Sequence, residues 1–335
     1  MALRRECRGL VFDQNGQIIS RRLHKFFNVM EKLETQIENI NFDCSHVILE
    51  KLDGSMITPI PIDGNIRWGT KMGITDVSMN AEVFVVNNSG YIDFAEYCIN
   101  IGVTPIFEWC SRKNRIVVDY PQDRLVLIAV RDNSTGKYSS YEEMVKYATD
   151  YNLDLVKVYP GNVNSLNHLM DETRGAEGIE GWVLRFDDGH MVKIKGEWYV
   201  KIHKNKDNLN YEKRLIDLII NNKVDDIKPF LLKEDKEKVE NFEKDFWHGF
   251  ESKRKELEIA LGEYTKSYDR KSFATEVAPN LDVMIKSIMF ACWDGKNSIE
   301  QMMLNTIQRN LSTQEKLNAV RVLWGDLKWE YSSND

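Results

Sequence analysis

Three turn-forming dipeptides break the first part of this chain into short extended segments. Asn15-Gly16 separates GLVF from QIIS, Asp63-Gly64 separates ITPIPI from IRWGT, and Asp188-Gly189 separates WVLRF from MVKIK. Asn-Gly and Asp-Gly supply the positive φ that a two-residue hairpin needs, and the flanking runs are rich in β-branched residues, so each predicts an antiparallel hairpin. VILEKLD, TPIFEW, RIVVDY and RLVLIAVR add further strands. Helical patterns cover 79–86, 91–101 and 140–151, the last opened by a Ser140-x-x-Glu143 capping box. Beyond about residue 207 the character changes. Lys, Glu, Leu and Ile recur at helical spacing, Pro229 and Pro279 interrupt them, and no strand is expected. The charge run Lys233–Lys255 reads as the solvated face of a helix. The expectation is an α+β chain with an antiparallel-sheet domain over 1–207 and an all-α domain over 208–335.

Composition narrows the function classes. A net charge of -7 argues against a surface coated in nucleic acid, though a few well-placed Lys and Arg suffice for a local basic groove. The five Cys include no C-x-x-C spacing, which fits reduced thiols and no structural zinc. The opening MALRRECRGLVFD lacks an apolar leader segment, and no apolar run reaches the length of a membrane span. A cytoplasmic protein with no membrane partner is expected.

Several charged residues stand where a strand or hairpin would not need them. Lys51-Leu52-Asp53-Gly54 puts a lysine at a strand end, followed by a turn that lets backbone approach a ligand. A lysine amine becomes a nucleophile only when a neighbouring cation or desolvation frees it of its proton. Alone, this motif reads rather as a hairpin corner with an exposed lysine. Lys193 and Lys195, two apart on a strand, share one face and repel unless an anion lies between or above them. The Asp188-Gly189 hairpin ties that strand to Glu180-Gly181-Trp182-Val183, so one hairpin offers a carboxylate and two lysines, a surface for phosphate and metal. Glu108, in Ile106-Phe107-Glu108-Trp109, is costly inside an apolar strand unless paired or functional. Arg8 in ECRG and Lys25 in HKFFN are further cations.

The order of these motifs carries a resemblance. Arg8, Lys25, Lys51-x-Asp53-Gly54, Lys71, Glu108, Glu180-Gly181 and Lys193-x-Lys195 follow the motif order of covalent nucleotidyltransferases, a superfamily of DNA ligases, RNA ligases and capping enzymes. Within it, ECRG, HKFFN, EKLDGS, FEW with NRIVVDY, VRDNSTGKYSSY, IEGWV and KIKGEWYVKIH resemble the phage RNA ligase 1 family, the tRNA-repair type. The likeness runs on through Val224-Asp225-Asp226 and Asp269–Glu276 and covers nearly the whole chain.

That resemblance implies a nucleotidyltransferase (adenylyltransferase) domain, a helical domain that docks RNA, and an ATP-dependent RNA ligase. Lys51 would attack the α-phosphorus of ATP and carry AMP covalently, AMP would pass to an RNA 5′-phosphate, and an RNA 3′-hydroxyl would displace it. By similarity, Lys193 and Lys195 hold the α-phosphate and help keep Lys51 neutral, and Arg8 and Lys25 orient the β- and γ-phosphates. Glu108 and Glu180 hold hydrated Mg²⁺ or Mn²⁺ through water. Ile128 and Val183 sandwich the adenine. Glu50, Leu52 and Gly54 flank the nucleophile in the nucleotide site, and Lys71 matches a family lysine approximately. Tyr199 serves the later steps, and Asp225 marks a second divalent-cation site. The implied partner is RNA, a tRNA broken in its anticodon loop, met by a monomer in the cytoplasm of an infected bacterial host. Family members carry several dozen residues before ECRG, whereas here the motif begins at Glu6, and a trimmed or reduced front end is expected. The competing expectations are a DNA ligase or capping enzyme, which place a strand-rich OB domain after the lysine pair, and a non-catalytic RNA-binding relative, which would have lost Lys51, Glu180 or the lysine pair.

Overall fold

The computed structural model describes residues 2–231 and 233–331. After α1 (Ala2–Glu6), β1 (Val11–Phe12) and β2 (Ile18–Ser20) pair antiparallel around the Asn15-Gly16 turn. Next come β3 (Phe27–Asn28), β4 (His46–Lys51), β5 (Ser55–Ile62) and β6 (Asn65–Gly69). Asp63 and Gly64 both take positive φ (49° and 76°) between β5 and β6, the backbone that a right-twisted two-residue hairpin demands.

α2 (Asp76–Val86) and α3 (Ser89–Asn100) follow, then β7 (Val103–Cys110), β8 (Arg124–Asp132), α4 (Tyr141–Asp150) and β9 (Asp154–Leu155). The Ser140–Glu143 capping box forms in both directions and starts α4 where the sequence placed it. α5 (Leu166–Arg174), β10 (Gly181–Phe186) and β11 (Met191–Lys195) complete the strand-bearing part, with Gly189 at φ 87° turning β10 into β11.

Two larger sheets result. One orders its strands β3-β11-β10-β4, the other β6-β5-β7-β8-β9. Pairing is antiparallel apart from β3 on β11 and β9 on β8. Val77, Ala81 and Val85 of α2 and Tyr91, Phe94 and Cys98 of α3, at three- and four-residue spacing, bury against Phe107 and Trp109 of β7. On the other sheet, Leu166 and Leu169 of α5 pack with Ile48, Leu184, Val192 and Ile194. The chain passes from one sheet to the other between β4 and β5, over Leu52–Gly54, immediately after Lys51.

RIVVDY is not a strand. Residues 115–120 form a loop, because the amides of Val117 and Val118 donate to the Asp53 carboxylate instead of to a neighbouring strand. α1 and α5 were not anticipated from the sequence pattern.

The chain divides into two compact units, the first ending at His203 and the second beginning at Lys204. The division falls inside α6 (Glu197–Leu209) rather than at 207. The second unit continues with α7 (Glu212–Ile220), α8 (Val224–Ile227), α9 (Lys233–Ser267), α10 (Arg270–Ser272), α11 (Val283–Cys292), α12 (Ile299–Asn310) and α13 (Gln314–Val320), and holds no strand among the described residues. α9 has 35 residues, about 53 Å of helix. Val239, Phe242, Phe246 and Phe250 form its buried stripe, and the charged run around them is exposed or half-buried except at Asp235, which lies in the interior. Arg321 pairs with Glu212 in the interior of this unit, the two side chains only 5% and 7% exposed. The α+β architecture with a helical second part is thus the one the sequence anticipated. No helix among the described residues is long and apolar enough to cross a membrane.

Candidate active site

Side chains on β10 alternate between two environments. Trp182, Leu184 and Phe186 join the core under α5. Val183 and Arg185 face a slot whose far wall includes Glu108 of β7 and Ile128 of β8. Cross-strand register then stacks three rungs on the slot side. Gly181 lies opposite Lys51 on β4 and Lys195 on β11. Val183 lies between Leu49 and Lys193, and Arg185 between Val47 and Met191. The lysines of two motifs far apart in sequence are therefore set at the slot mouth by backbone pairing.

Glu180 joins them. Its carboxylate accepts from Lys51 Nζ at Oε2 (2.8 Å) and pairs with Lys195 Nζ at Oε1 (2.8 Å), while the residue itself is only 4% exposed. The residue after it must be glycine. Gly181 has φ 145°, and a Cβ there would fall 2.0 Å from the Ile194 carbonyl oxygen.

Lys193 stands in a field of like charge. Burial first, then Lys51, Lys195 and Lys25, push its ammonium down to about 8. Its Nζ lies 5.7 Å from the centre of the Phe26 ring, and Lys195 Nζ lies 4.9 Å from that of Tyr199.

Glu108 approaches from the other sheet. Its Oε1 accepts from the Gly54 amide at 3.1 Å. Gly54 is tightly confined, since a Cβ would come within 2.2 Å of the Trp109 carbonyl oxygen. Burial raises the Glu108 carboxyl to about 8; Lys51 opposes the rise, and Glu180 and Asp53 add to it. Two carboxylates near three lysines do not form an all-protein metal cage, and no group of three or more candidate ligands occurs among the described residues. The donor set fits a Mg²⁺-type ion that takes one or two carboxylates and completes its shell with water and substrate phosphate.

Asp53 organises the loop that follows Lys51. It is 3% exposed. Oδ2 accepts from the amides of Val117 and Val118 (2.7 Å each), Oδ1 accepts from the Tyr199 hydroxyl (2.7 Å), and its own amide donates to the Tyr120 hydroxyl (2.9 Å). The sequence reading assigned this aspartate only to a turn and gave Tyr199 a part in later catalytic steps. In this structure the Tyr199 hydroxyl is buried and committed to Asp53.

The slot gathers Glu50, Lys51, Leu52, Glu108, Ile128 and Val183, all singled out from sequence. Leu23, Phe26, Leu49, Val156, Arg185 and Met191 also line it and were not singled out. Phe26 falls within HKFFN, and Arg185 is a charge on an otherwise apolar strand, which was the available signal. Other expected residues are not among those that line the slot. Arg8 precedes Gly9, whose φ of 73° folds the backbone onto Lys71, and a Cβ at Gly9 would lie 2.7 Å from the Lys71 carbonyl oxygen. Lys71 itself is exposed, and nothing ties its side chain to the slot. Lys25 Nζ lies 5.4 Å from the centre of the Phe27 ring. Asp225, expected to hold a second cation, is exposed on α8 of the second unit and pairs with Lys228 (2.8 Å); no group of three or more candidate ligands occurs among the described residues.

A sheet slot with a carboxylate-bridged lysine pair at its mouth defines a candidate site for nucleotide phosphate chemistry. The family model described as RNA ligase matches residues 6–199, and that of the T4 RNA ligase 1 C-terminal domain matches residues 206–316. The chain belongs to this RNA ligase family, which agrees with the resemblance read from its motifs. A Thermovibrio ammonificans protein named as an RNA ligase is 33% identical over 234 residues, 67% of this chain and 60% of that protein. RNA ligase 1 of Bacteriophage TS2126 is 25% identical over 206 residues, 59% of this chain and 51% of that one. The chain thus spans three fifths or less of the length of these relatives. Among solved structures, an archaeal ATP-dependent RNA ligase is similar at 18% identity with a TM-score of 0.47, covering 60% of this chain and 55% of that chain.

Proposed function

We propose that this protein is an ATP-dependent RNA ligase that carries AMP on Lys51. Lys51 Nζ attacks the α-phosphorus of ATP; the N–P bond forms as the bond to pyrophosphate breaks. An oxygen of an RNA 5′-phosphate then takes the phosphorus and releases Lys51, and an RNA 3′-hydroxyl attacks the activated end and expels AMP. The observation that carries this reading is the Glu180 carboxylate, 2.8 Å from Lys51 and 2.8 Å from Lys195, at the mouth of a slot whose side walls are largely apolar.

The residues divide the work. Phosphoryl transfer is chiefly positioning and stabilisation of charge on oxygen. Lys193 and Lys195 supply fixed positive charge for the α-phosphate. Glu180 Oε2 accepts from Lys51 Nζ and fixes where the amine stands at the mouth of the slot. Val183 and Ile128 hold the base between the two sheets. Asp53 and Tyr199 fix the loop that follows Lys51, and Arg8 and Lys25 bear on the leaving pyrophosphate. Glu108 and Glu180 would hold a Mg²⁺ or Mn²⁺ ion, which when bound neutralises charge on the phosphate oxygens. The domain over 1–207 would serve nucleotidyl transfer, and the helical part would dock the RNA, a tRNA broken in its anticodon loop, as a monomer in a host cytoplasm. Helices rather than a strand-rich barrel follow the lysine pair, which favours this reading over a DNA ligase or capping enzyme.

The test is incubation with labelled ATP or GTP and Mg²⁺, followed by a denaturing gel. An ATP-dependent labelled band that Lys51→Ala lacks, with sealing of single-stranded RNA but not of nicked DNA, is the expected result. An unlabelled wild-type protein overturns the reading.

A further inference from the structure

Arg185 occupies the third rung of the slot, at the end away from Lys51. It is 4% exposed; Asp187 and Glu142 act on its charge from a distance, but among the described residues no carboxylate comes within ion-pair reach of it. Its one hydrogen-bond contact there is Nη1 with the sulfur of Met144, at 3.4 Å, a weak acceptor. Burying a cation is expensive unless it is matched by hydrogen bonds. On the same strand face the other two positions are glycine and valine, so nothing in the sheet requires a guanidinium there. Four residue steps along the β-strand separate Gly181 from Arg185, roughly 13 Å. That is comparable with the span from the phosphorus of a mononucleotide to the far edge of its base.

We infer that Arg185 reads the base: its guanidinium donates a hydrogen bond to a ring-nitrogen acceptor of the purine that enters the slot. The inference rests on the nucleotide reading above and deepens it. A guanidinium is donor only, so the group it meets must accept. A purine offers N1, N3 or N7 as such acceptors, while the apolar walls from Val183, Ile128, Leu49 and Val156 provide shape without polar discrimination. Arg185 is then the polar group that fixes how the ring is turned in the slot, and Met144 holds the guanidinium while the slot is free of base.

The experiment compares adenylylation of the full chain with ATP and with 1-deaza-, 3-deaza- and 7-deaza-ATP, in wild type, Arg185→Met and Arg185→Lys. Arg185→Met is expected to raise the KM for ATP by about 10- to 100-fold, the worth of a hydrogen bond to a charged donor, with kcat for adduct formation within about twofold. One deaza analogue is expected to show the same loss with wild type and no further loss with Arg185→Met, while Arg185→Lys recovers part of the affinity. The inference is overturned if the folded Arg185→Met protein keeps the wild-type KM, or if wild type uses all three analogues as well as ATP. The wild-type analogue series decides the matter even where Arg185→Met fails to fold. Wild type that forms no adduct with ATP sinks the underlying functional reading instead, a result distinct from either of these.

Discussion

The hydroxyl of Tyr199 donates to Oδ1 of Asp53 across 2.7 Å, and both residues are buried. The contact joins the start of α6 to the loop that leaves β4 directly after Lys51. Tyr199→Phe leaves that oxygen without its donor, and a lost bond to a charged group costs about 1.5–3 kcal/mol. Asp53→Ala also orphans the Val117 and Val118 amides and is expected to cost more. Chemical denaturation of wild type and both variants checks the order, and equal midpoints for all three would contradict it.

Gly181→Ala should abolish adduct formation on Lys51. The added methyl meets the Ile194 carbonyl, so β10 and β11 must separate where Lys51 and Lys195 are aligned. Labelled-ATP transfer falling by less than about tenfold in a folded variant would show that the alignment tolerates the shift.

Nucleotide binding with a divalent cation should release a proton near pH 7. Burial pushes the Glu108 carboxyl up to about 8, so it is expected to hold its proton at neutral pH and to ionise when it meets a cation. Proton release therefore shrinks as pH rises through 8, and cation affinity weakens as pH falls below it. Calorimetry in buffers of differing ionisation enthalpy measures this, and Glu108→Gln should remove the effect.

Lys193 predicts the opposite limb. Its ammonium loses its proton around pH 8, so its hold on phosphate weakens above that value. The KM for ATP should climb in alkaline buffer, and Lys193→Arg, which stays charged, should flatten the rise.

Arg321→Met should destabilise the helical unit by about 3–5 kcal/mol, because Glu212 would be left buried without its partner. Burial works against the Glu212 carboxylate, yet its bonds to Arg321, the Trp329 amide and Gln314 hold it below the ordinary 4.5. The stability it contributes is present above that pH and fades as acid reaches the lowered value. Thermal melts at pH 7 and pH 3 should show the variant's deficit at the first and a smaller one at the second.

How much of this was legible in sequence followed the range of the interaction. The hairpins at Asn15-Gly16, Asp63-Gly64 and Asp188-Gly189 depend on a few adjacent residues, and all three form. The pairing that matters most, Lys51 with Glu180, spans 129 residues, and no periodicity reveals it; only the ordered motifs pointed there. RIVVDY misled because β-branched residues in a row describe a strand equally well when a distant aspartate takes their amides. Arg185 passed unnoticed because a single charge in WVLRF reads as the outward face of a half-exposed strand until the register turns it inward.

The ladder also separates two kinds of change. Substitutions at Val47, Arg185 or Met191 can alter the far end of the cleft while the backbone pairing that sets Lys51 beside Lys195 stays as it is. Preference for one base over another could therefore drift, or be engineered, without disturbing the bond-making end. A single-residue insertion in β10 would do the reverse, turning every inward group outward and erasing both at once.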